Sequence, residues 1–345
     1  MEYSGVGRYA VESTRALCRA RPDWRVLILS NRADLVVEAN AVHRGTRLPT
    51  RRSGIRVAWL HGWSWIAARG ADEAVWIGTA FTLPVWRRRP TIVTIHDLVP
   101  LEHPETYSSR INARYAAAAT RWAARRADRI VCGSMDTADR LVGRLGTQPD
   151  RVRVVPYGVT GAFRDLRRRE RHPPQILFVG TFEPRKGLDV LHAAMMQLNA
   201  SRPEAIELVV AGGVGWGGDK PLLHERWVRV VDSPDDAQLR ELYATAALLV
   251  LPSRAEGFGL PVAEALASGC PVVCSDLPAI RGFAGDGPLY VPVGDADALA
   301  RALAGLLQDP EARDHATRRG RRAVADLRWE RVGELLAAEV EALTA

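Results

Sequence analysis

Short runs of branched apolar residues recur along the whole chain, and a stretch with helical spacing of apolar residues follows most of them. This alternation is typical of parallel β-sheets whose strands are joined by helices. The runs fall into two series, and we predict a strand in each run. They are RVLILS (25–30), AVWIGT (74–79), TIVTIHD (91–97), RIVCGS (129–134), VRVVPYG (152–158), QILFVGT (175–181), IELVVAGG (206–213), WVRVVDS (227–233), ALLVLPS (247–253), PVVCSD (271–276) and PLYVPVG (288–294).

The two series predict two similar α/β halves, and a chain of 345 residues is long enough for two domains. The polar, proline-ended stretch FRDLRRRERHPP lies between the series. We therefore predict a Rossmann-like N-terminal domain over 1–160, a linker over 161–174 and a Rossmann-like C-terminal domain over 175–325. The amphipathic pattern of WERVGELLAAEVEALTA predicts a helix within 326–345 that packs on one domain.

Apolar residues make up 47% of the chain, which favours a packed globular protein over a disordered one. No stretch approaches the roughly 18 uninterrupted apolar residues of a membrane span, and the N-terminus lacks the features of a signal peptide. The sequence therefore predicts a cytoplasmic protein. We interpret Cys18, Cys132, Cys270 and Cys274 as reduced core thiols, with a zinc-binding pair formed by the last two as the alternative.

The net charge of +7 comes almost wholly from arginine, because Lys186 and Lys220 are the only lysines. Arginine clusters at 87–89 and 165–174 are candidates for contact with nucleic acid or an anionic membrane, or are solvated turns. The chain has no zinc-finger spacing, no aromatic RNA-binding signature and no long basic helix, so we predict no nucleic-acid partner. Peripheral contact with the inner face of the membrane stays open.

Two glutamates stand on either side of a glycine-containing corner in the stretch EGFGLPVAE. The strand ALLVLPS precedes the corner, and LPVAEALAS is a predicted helix with Pro261 suited to its first turn and Gly269 suited to its end. This pattern predicts that Glu256 lies on the strand-to-helix loop and Glu264 in the opening turn of the helix.

The corner combines groups that suit a ligand carrying both sugars and phosphates. Gly257 and Gly259 let backbone amides approach a ligand closely, and a helix N-terminus attracts phosphate. Carboxylates accept hydrogen bonds from hydroxyl groups. Either glutamate alone is equally well explained as a helix-start or solvent-facing charge, but the pair around GFG favours a binding site.

Several motifs occur in a fixed order along the chain, and with them the chain resembles the family 4 glycosyltransferases over nearly its whole length. These are retaining enzymes of the GT-B fold. The motifs are SGVGRY (4–9), TIVTIHDLVP (91–100), VVPYGV (154–159), FVGTFEPRKGLDVL (178–191), VVAGGVGWG (209–217), EGFGLPVAE (256–264) and GCPVVCSDLPA (269–279).

The resemblance implies an α/β protein with two Rossmann-like domains whose parallel sheets face a central cleft. It implies that the C-terminal domain mainly holds a nucleotide diphosphate sugar and that the N-terminal domain mainly holds the acceptor. The implied reaction is hexosyl transfer. The sequence does not name the base, the sugar or the acceptor, which is a sugar, a lipid-linked molecule or a small molecule.

Site residues follow from the resemblance and from local chemistry. Arg185 and Lys186 follow the first strand of the second domain, where two cations neutralise a departing nucleotide diphosphate; a water-exposed basic pair is the alternative. The resemblance implies contacts from Glu256 to the sugar and from Glu264 to the ribose hydroxyls. It also places the backbone of Gly257, Phe258, Gly259 and Leu260, and that of Gly5, Val6 and Gly7, near the donor.

His96 ends an apolar strand, and the resemblance implies that it touches the transferred sugar. The alternative is a hydrogen-bonded histidine at a strand end. Arginine often follows the first glycine of the FVGTFEPRKG motif in the family, but here Thr181 follows Gly180, and Arg185 is the substitute for that phosphate contact.

No metal, cofactor or covalent nucleophile is implied. A front-face displacement, in which the donor phosphate takes the acceptor proton, fits these residues. The acidic run DAD at 295–297 opens a predicted helix, so we interpret it as a helix cap and not as a metal site. Trp59, Trp63 and Trp65 either line an acceptor groove or pack in the core.

Three alternatives compete with a transferase. GVGRYA matches G-x-G-x-x-A, so an NADP-dependent oxidoreductase is one alternative, although it leaves the glutamate pair and PRKG unexplained. A nucleotide-sugar-binding protein with weak or no activity and a sugar-nucleotide epimerase are the others. Only residues 1–4 precede Gly5, where the family has an apolar strand, so we also expect an amino-terminally truncated chain.

Overall fold

A computed structural model describes residues 5–30, 38–45, 75–85, 89–169, 173–200, 202–213, 215 and 221–345. Lys220, Arg87 and Arg88 lie outside the described residues, as do residues 1–4. The predictions on Trp59, Trp63 and Trp65 concern residues that also lie outside them.

Helices and parallel strands alternate through the described residues. In chain order they are α1 Gly5–Ala20, β1 Val26–Ser30, β2 Ala41–Gly45, β3 Trp76–Gly78, β4 Thr91–Thr94, α2 Val99–Glu102, α3 Arg110–Arg126, β5 Arg129–Cys132, α4 Met135–Leu145, β6 Val152–Val154, α5 Gly161–Arg164, β7 Gln175–Val179, α6 Leu188–Ala200, β8 Glu207–Ala211, β9 Val228–Val231, α7 Asp236–Thr245, β10 Leu248–Leu251, α8 Leu260–Ser268, β11 Val272–Ser275, α9 Pro278–Ala284, β12 Leu289–Val291, α10 Ala296–Gln308, α11 Pro310–Ala323 and α12 Trp329–Thr344.

Every run that the sequence analysis predicted to be a strand contains one, which confirms those predictions. The strand β2, with the sequence AVHRG, was not predicted, because the run is short and ends in polar residues and glycine. All described strand pairs are parallel. The sheets have the orders β1-β2, β3-β4-β5-β6 and β12-β11-β10-β7-β8-β9.

The chain divides into two compact units, each with its own core. We call Arg8–Leu98, Arg114–Gly158 and Trp329–Ala345 the amino unit. We call Met1–Gly7, Val99–Ala113 and Val159–Arg328 the carboxy unit. The segment predicted as a linker contains the helix α5, and it clusters with the carboxy unit.

The four central strands of the six-stranded sheet of the carboxy unit are buried on both faces. All residues of β7, β10 and β11 are buried, as are four of the five residues of β8. Parallel strands covered by helices on both sides read as continuous apolar runs and not as alternating ones. This explains why runs such as ALLVLPS were recognisable in the sequence.

The C-terminal helix α12 packs within the amino unit, as the amphipathic pattern predicted. Its buried residues include Trp329, Val332 and Leu336, which recur at helical spacing. Gly333 faces α1 so closely that a Cβ added there would lie 2.3 Å from the Ala16 carbonyl oxygen. On another side, Glu339 accepts hydrogen bonds from two arginines of the β5 and β6 strands.

All four cysteines are buried and free, which confirms their interpretation as core thiols. Among the described residues, no helix combines the length and the apolar character needed to cross a bilayer.

Candidate active site

A buried carboxylate with three hydrogen-bond donors is the centre of the candidate site. Glu256 lies on the loop between β10 and α8, as predicted. Its Oε1 accepts hydrogen bonds from Lys186 Nζ at 2.7 Å and from Ser253 Oγ at 2.7 Å. Its Oε2 accepts one from Arg185 Nη1 at 3.2 Å. The structure therefore brings three of the four predicted catalytic residues together within the carboxy unit.

The pair of cations is shielded from water and balanced by two carboxylates. The side chains of Arg185 and Lys186 are 19% and 8% exposed, so the alternative of a water-exposed basic pair is wrong. Arg185 also donates from Nε to Glu183 Oε2 at 2.8 Å. We call Glu183, Arg185, Lys186, Ser253 and Glu256 the charge network. Its formal charges sum to zero.

Burial and charge act in opposite directions on the ionisable groups of the charge network. Burial alone would raise the pKa of Glu256, but the positive charges of Lys186 and Arg185 and the hydrogen bonds from Lys186 and Ser253 lower this pKa to about 2. Burial lowers the pKa of Lys186, and the nearby Arg185 charge adds to this effect, while Glu256 opposes it. The carboxylate of Glu256 is therefore ionised at neutral pH.

Two loops are clamped together to form the charge network. Gly187 ends the 3₁₀ turn Pro184–Lys186 with φ 68°, and a Cβ added there would lie 2.1 Å from the Pro252 carbonyl oxygen. Only glycine fits such a left-handed conformation at this close approach. Arg254 completes the clamp: its backbone N–H donates to the Arg185 carbonyl oxygen at 2.7 Å, and its guanidinium forms a two-bond ion pair with Asp189.

Glycine residues in close contact with neighbouring backbone lie at the carboxyl ends of β7 and β8. Gly180 and Gly212 follow these strands, and a Cβ added to Gly212 would lie 2.1 Å from the Gly180 carbonyl oxygen. A Cβ added to Gly215 would lie 2.4 Å from the Phe182 carbonyl oxygen. In open parallel sheets, ligands bind beyond the carboxyl ends of the strands. These glycines keep the neighbouring loops close together at that end.

Glu264 lies just beyond the first turn of its helix, and not in the opening turn as predicted. It is the fifth residue of α8, so the prediction of the opening turn is wrong; the helix begins at Leu260, with Gly259 as N-cap at φ 100°. The predicted roles of Pro261 and Gly269 are confirmed, because Pro261 lies in the first turn and Gly269 is the C-cap at φ 76°. Glu264 is buried, and its Oε2 accepts a hydrogen bond from Tyr243 at 3.1 Å.

The loop between the two glutamates is buried and packed. Gly257, Phe258, Gly259 and Leu260 are all buried. The Phe258 ring stacks on Phe283, with ring centroids 4.4 Å apart and planes at 23°. This stack anchors the loop, and it holds the backbone of its two glycines in one conformation.

His96 belongs to the amino unit, where an aromatic cluster surrounds it. Its Nε2 lies 2.9 Å from the Thr79 carbonyl oxygen, which can only accept, so Nε2 carries the proton. Its Nδ1 then accepts from the Tyr157 hydroxyl at 2.6 Å. Burial lowers the pKa of His96. The ring is therefore neutral, and both nitrogens have protein partners, as in the alternative of a hydrogen-bonded strand-end histidine; its contact with a sugar stays a prediction.

The tripeptide Gly5, Val6 and Gly7 opens the helix α1. Val6 is 44% exposed, and Gly5 is exposed as well. Its role near the donor stays a prediction, since residues 1–4 lie outside the described part of the chain.

Comparison with known proteins decides the class of the chain. Residues 162–323 match the family of glycosyl transferases group 1, and residues 3–161 match Glycosyltransferase Family 4. A D-inositol 3-phosphate glycosyltransferase of Xylanimonas cellulosilytica is 31% identical over 301 residues, which cover 79% of this chain and 67% of that relative. The chain belongs to the group 1 glycosyltransferases.

Two further similarities extend over nearly the whole glycosyltransferase. It is 26% identical to the O-antigen chain mannosyltransferase B of Escherichia coli, over 95% of this chain and 93% of that protein. The sucrose-phosphate synthase of Thermosynechococcus elongatus has the same fold, with a TM-score of 0.76 at 20% identity, over 98% of this chain and 93% of the other. The predicted GT-B fold is confirmed.

This glycosyltransferase is an enzyme that moves a sugar from a nucleotide sugar to an acceptor. The oxidoreductase alternative is set aside, because both halves of the chain match transferase families. The acidic run at 295–297 has the predicted capping role: Asp295 accepts a hydrogen bond from the Ala298 backbone N–H at 2.8 Å. Among the described residues, no cluster of three or more His, Cys, Asp or Glu side chains is placed to hold a metal ion.

Sequence reasoning missed three residues that contact predicted site residues. Ser253 and Glu183 directly contact predicted residues. Ser253 ends the strand run ALLVLPS and Glu183 lies in the motif FVGTFEPRKGLDVL, so their polar character at these positions was an available signal. Tyr243 lies on another helix, and no spacing rule links it to Glu264.

Proposed function

We propose that this glycosyltransferase moves a hexosyl group from a nucleoside diphosphate hexose with retention of anomeric configuration, and that it needs no metal ion. The charge network carries this proposal. Its two cations are held rigidly at the carboxyl end of the β7 strand, where nucleotide phosphates bind in open parallel sheets. We assign the donor to the carboxy unit on this basis.

The cations replace a metal in this proposal. Lysine has three N–H donors, and among the described residues Lys186 uses one hydrogen bond, to Glu256. We assign the remaining donors to the diphosphate of the leaving group, together with Arg185. Charge stabilisation of this kind is strongest in sites without water, and the 8% exposure of the Lys186 side chain fits that condition.

A front-face displacement is the step that we propose. The acceptor hydroxyl oxygen forms a bond to the anomeric carbon on the face from which the diphosphate leaves, and the bond between that carbon and the phosphate oxygen breaks. The acceptor proton passes to an oxygen of the departing phosphate. Glu256 is a poor covalent nucleophile, because both of its oxygens accept hydrogen bonds from charged or hydroxyl donors.

The acceptor that we propose is a hydroxyl group of a sugar or cyclitol, free or linked to a lipid. Two relatives support it: one is named an O-antigen chain mannosyltransferase, and the other a D-inositol 3-phosphate glycosyltransferase. A mannosyl donor follows from the first of these names.

The test is a donor screen followed by product analysis. GDP-mannose, UDP-glucose, ADP-glucose and dTDP-glucose are incubated with D-inositol 3-phosphate or a mannose-terminated oligosaccharide, in the presence and absence of EDTA. We expect transfer from one donor, insensitivity to EDTA, and a product whose one-bond C1–H1 coupling shows the anomeric configuration of the donor. An inverted product would contradict retention, and loss of activity in EDTA that Mn²⁺ restores would contradict metal independence. NADPH binding without nucleotide-sugar binding would contradict the whole proposal.

We further propose peripheral contact with anionic membrane surfaces through one face of α3. Three exposed arginines of the amino unit, Arg114, Arg121 and Arg125, lie within roughly 40° of one another around the helix. The helix RINARYAAAATRWAARR contains no acidic residue, and among the described residues none of the three has an ion-pair partner. Arginines placed in this way attract anionic lipid headgroups.

Sedimentation with lipid vesicles tests this contact. We expect the protein to bind vesicles that contain phosphatidylglycerol and not vesicles of phosphatidylcholine alone, and to dissociate in 0.5 M salt. Replacing the three arginines by glutamine is expected to abolish binding without reducing transfer to a soluble acceptor. Equal binding by the substituted protein would contradict this face as the contact, and binding to duplex DNA in place of vesicles would contradict the class of partner.

A further inference from the structure

Tyr243 connects the helix α7 to the glutamate of α8. Its ring is fully buried, and its hydroxyl lies 3.1 Å from Glu264 Oε2 and 3.3 Å from the Pro261 carbonyl oxygen. A carboxylate is the stronger acceptor, because hydrogen bonds to ionised groups are stronger than those to neutral ones. The hydroxyl proton is therefore directed mainly at Glu264.

The position of Tyr243 is itself determined by contacts at the end of α7. Its ring packs edge-to-face on Phe163, with ring centroids 5.7 Å apart and planes at 79°. Its carbonyl oxygen accepts from Arg168 Nη1 at 2.8 Å, and the next carbonyl oxygen, that of Ala244, accepts from the Arg169 backbone N–H at 2.8 Å. Both arginines satisfy carbonyl groups that the end of a helix leaves without intrahelical partners.

We propose that Tyr243 is a positioning residue that fixes the carboxylate of Glu264 and thereby sets the preference of the enzyme for ribose over 2′-deoxyribose in the donor. This inference rests on the proposed nucleotide donor, whose ribose hydroxyls we assign to Glu264. A carboxylate accepts hydrogen bonds from two neighbouring hydroxyls only when its plane is correctly oriented, and a buried donor on one oxygen restricts that plane.

The choice of Tyr243 follows from its chemistry. Leu239 and Leu242 of the same helix are also buried, but they have no polar group to orient a carboxylate. The hydroxyl of Tyr243 donates a hydrogen bond to the Glu264 side chain from another helix. Removing the hydroxyl oxygen from Tyr243 therefore removes this hydrogen bond to the carboxylate and leaves the packing of the ring on Phe163 in place.

The experiment compares nucleotides that differ by one hydroxyl. Calorimetry measures binding of GDP, UDP and their 2′-deoxy forms to the full chain and to its Tyr243→Phe and Glu264→Gln variants. We expect the wild type to prefer the ribonucleotide by about 10-fold or more, since a hydrogen bond to a charged group has about that effect on affinity. In Tyr243→Phe we expect this preference to fall to about threefold or less.

Tyr290→Phe is the matched control. It also removes one hydroxyl, which donates to the Gly285 carbonyl oxygen at 2.7 Å on the exposed edge of β12. We expect this variant to keep the wild-type preference. In Tyr243→Phe the KM for the donor should rise while kcat stays within about twofold, because a loss confined to ribose binding acts equally on the bound substrate and the transition state.

The double variant and a second substitution complete the test. Tyr243→Phe should have no further effect on the preference once Glu264 is glutamine, and Arg168→Met should lower the preference in the same direction, whether or not Tyr243→Phe folds. An unchanged preference in Tyr243→Phe, with a lost preference in Glu264→Gln, would overturn this inference alone. Failure of the wild type to bind any of these nucleotides would overturn the proposed donor and this inference with it.

Discussion

Glu256 in the carboxy unit and His96 in the amino unit are both largely withdrawn from water, yet their surroundings differ in kind. Two cations and a hydroxyl donate to Glu256, and its pKa is lowered to about 2. A neutral hydroxyl and a backbone carbonyl hold His96, and its pKa is lowered by burial. The first environment stabilises the ionised form of Glu256, and the second stabilises the neutral form of His96.

This difference separates the tasks of the two units. A site with paired charges responds to a new anion, because the anion competes with the carboxylates for the same cations. A neutral aromatic cluster has no charge to rearrange, so it contributes shape and fixed hydrogen bonds. The contrast predicts that substitutions in the charge network change charge-dependent chemistry, whereas substitutions around His96 mainly change local packing.

The largest expected effect in this comparison is that of Lys186→Ala. We expect kcat/KM to fall by about 10²–10³-fold, the range found when one preorganised donor to a developing negative charge is lost. Steady-state kinetics with the donor from the screen measures it. Arg331→Ala is the control, since Arg331 forms an exposed ion pair with Glu334 on α12 and the charge change is the same. If kcat/KM fell by less than about threefold in Lys186→Ala, the charge network would have no role in the reaction.

The second-largest expected effect is a loss of folding stability in acid, and its direction follows from the lowered pKa of Glu256. In the folded protein the pKa of this carboxyl is about 2, against an ordinary value of 4.5. Its ionised form therefore stabilises the fold above pH 4.5, and this stabilisation is lost as the pH falls towards 2. The shift corresponds to about 3 kcal/mol. Urea unfolding at several pH values measures the slope.

In Glu256→Gln the group cannot titrate, so we expect a shallower loss of stability between pH 4.5 and 2 than in the wild type. Glu334→Gln on the exposed face of α12 is the control and should keep the wild-type slope. If the free energy of unfolding fell equally steeply with pH in the wild type and in Glu256→Gln, the two cations would not lower the pKa of the Glu256 carboxyl.

Two glycines with similar backbone conformations, one in each unit, extend the comparison to the backbone. Gly187 at φ 68° supports the charge network, and Gly146 at φ 62° ends α4 in the amino unit. An added Cβ meets the Pro252 carbonyl oxygen at 2.1 Å in the first case and nothing within 4 Å in the second. Gly146→Ala is expected to lower stability by about 1 kcal/mol, the effect of the left-handed conformation alone.

Gly187→Ala should lower stability by at least about 2 kcal/mol more, because the close approach of the two loops is lost as well. Chemical denaturation of both variants gives the difference directly. Similar values for the two glycines would mean that the loops separate without penalty, and the clamp would then have no role in holding the charge network.

The smallest expected effect is that of Tyr157→Phe, which removes the donor to His96 Nδ1. We expect a decrease in stability of about 1 kcal/mol and a kcat within about threefold of the wild type. Nitrogen-15 spectra of labelled histidine should show a neutral ring protonated at Nε2 in the wild type at pH 7. A charged His96 at that pH would contradict the neutral cluster and restore an electrostatic role for this residue.

Most strands and the charged residues of the site could be predicted from the sequence, for identifiable physical reasons. Buried parallel strands produce apolar runs that stand out, whereas the short β2 strand, which ends in HRG, gives almost no such signal. The motif PRKG and the glutamate loop each predicted charged groups near a ligand. Their pairing, and the part of Glu183 and Ser253 in it, depends on how two distant loops fold together.

Glu264 shows where local reasoning stops. The predicted helix LPVAEALAS has the observed bounds, but Glu264 is its fifth residue and therefore lies just beyond the first turn. Its partner Tyr243 lies 21 residues earlier, on α7, and only packing of the two helices brings them together. A pattern within one element predicts which face is buried, and it does not predict what that face meets.

The ion pair between Arg254 and Asp189, with bonds of 2.8 Å and 2.5 Å, links the loop after β10 to the beginning of α6. The Arg254 backbone also bonds to the Arg185 carbonyl oxygen. Arg254 thus links the two loops through three hydrogen bonds, and we expect the loops to move together. A rearrangement of one loop on arrival of a substrate would then displace the other, and relaxation measurements on their amides are expected to show one shared exchange rate and not two.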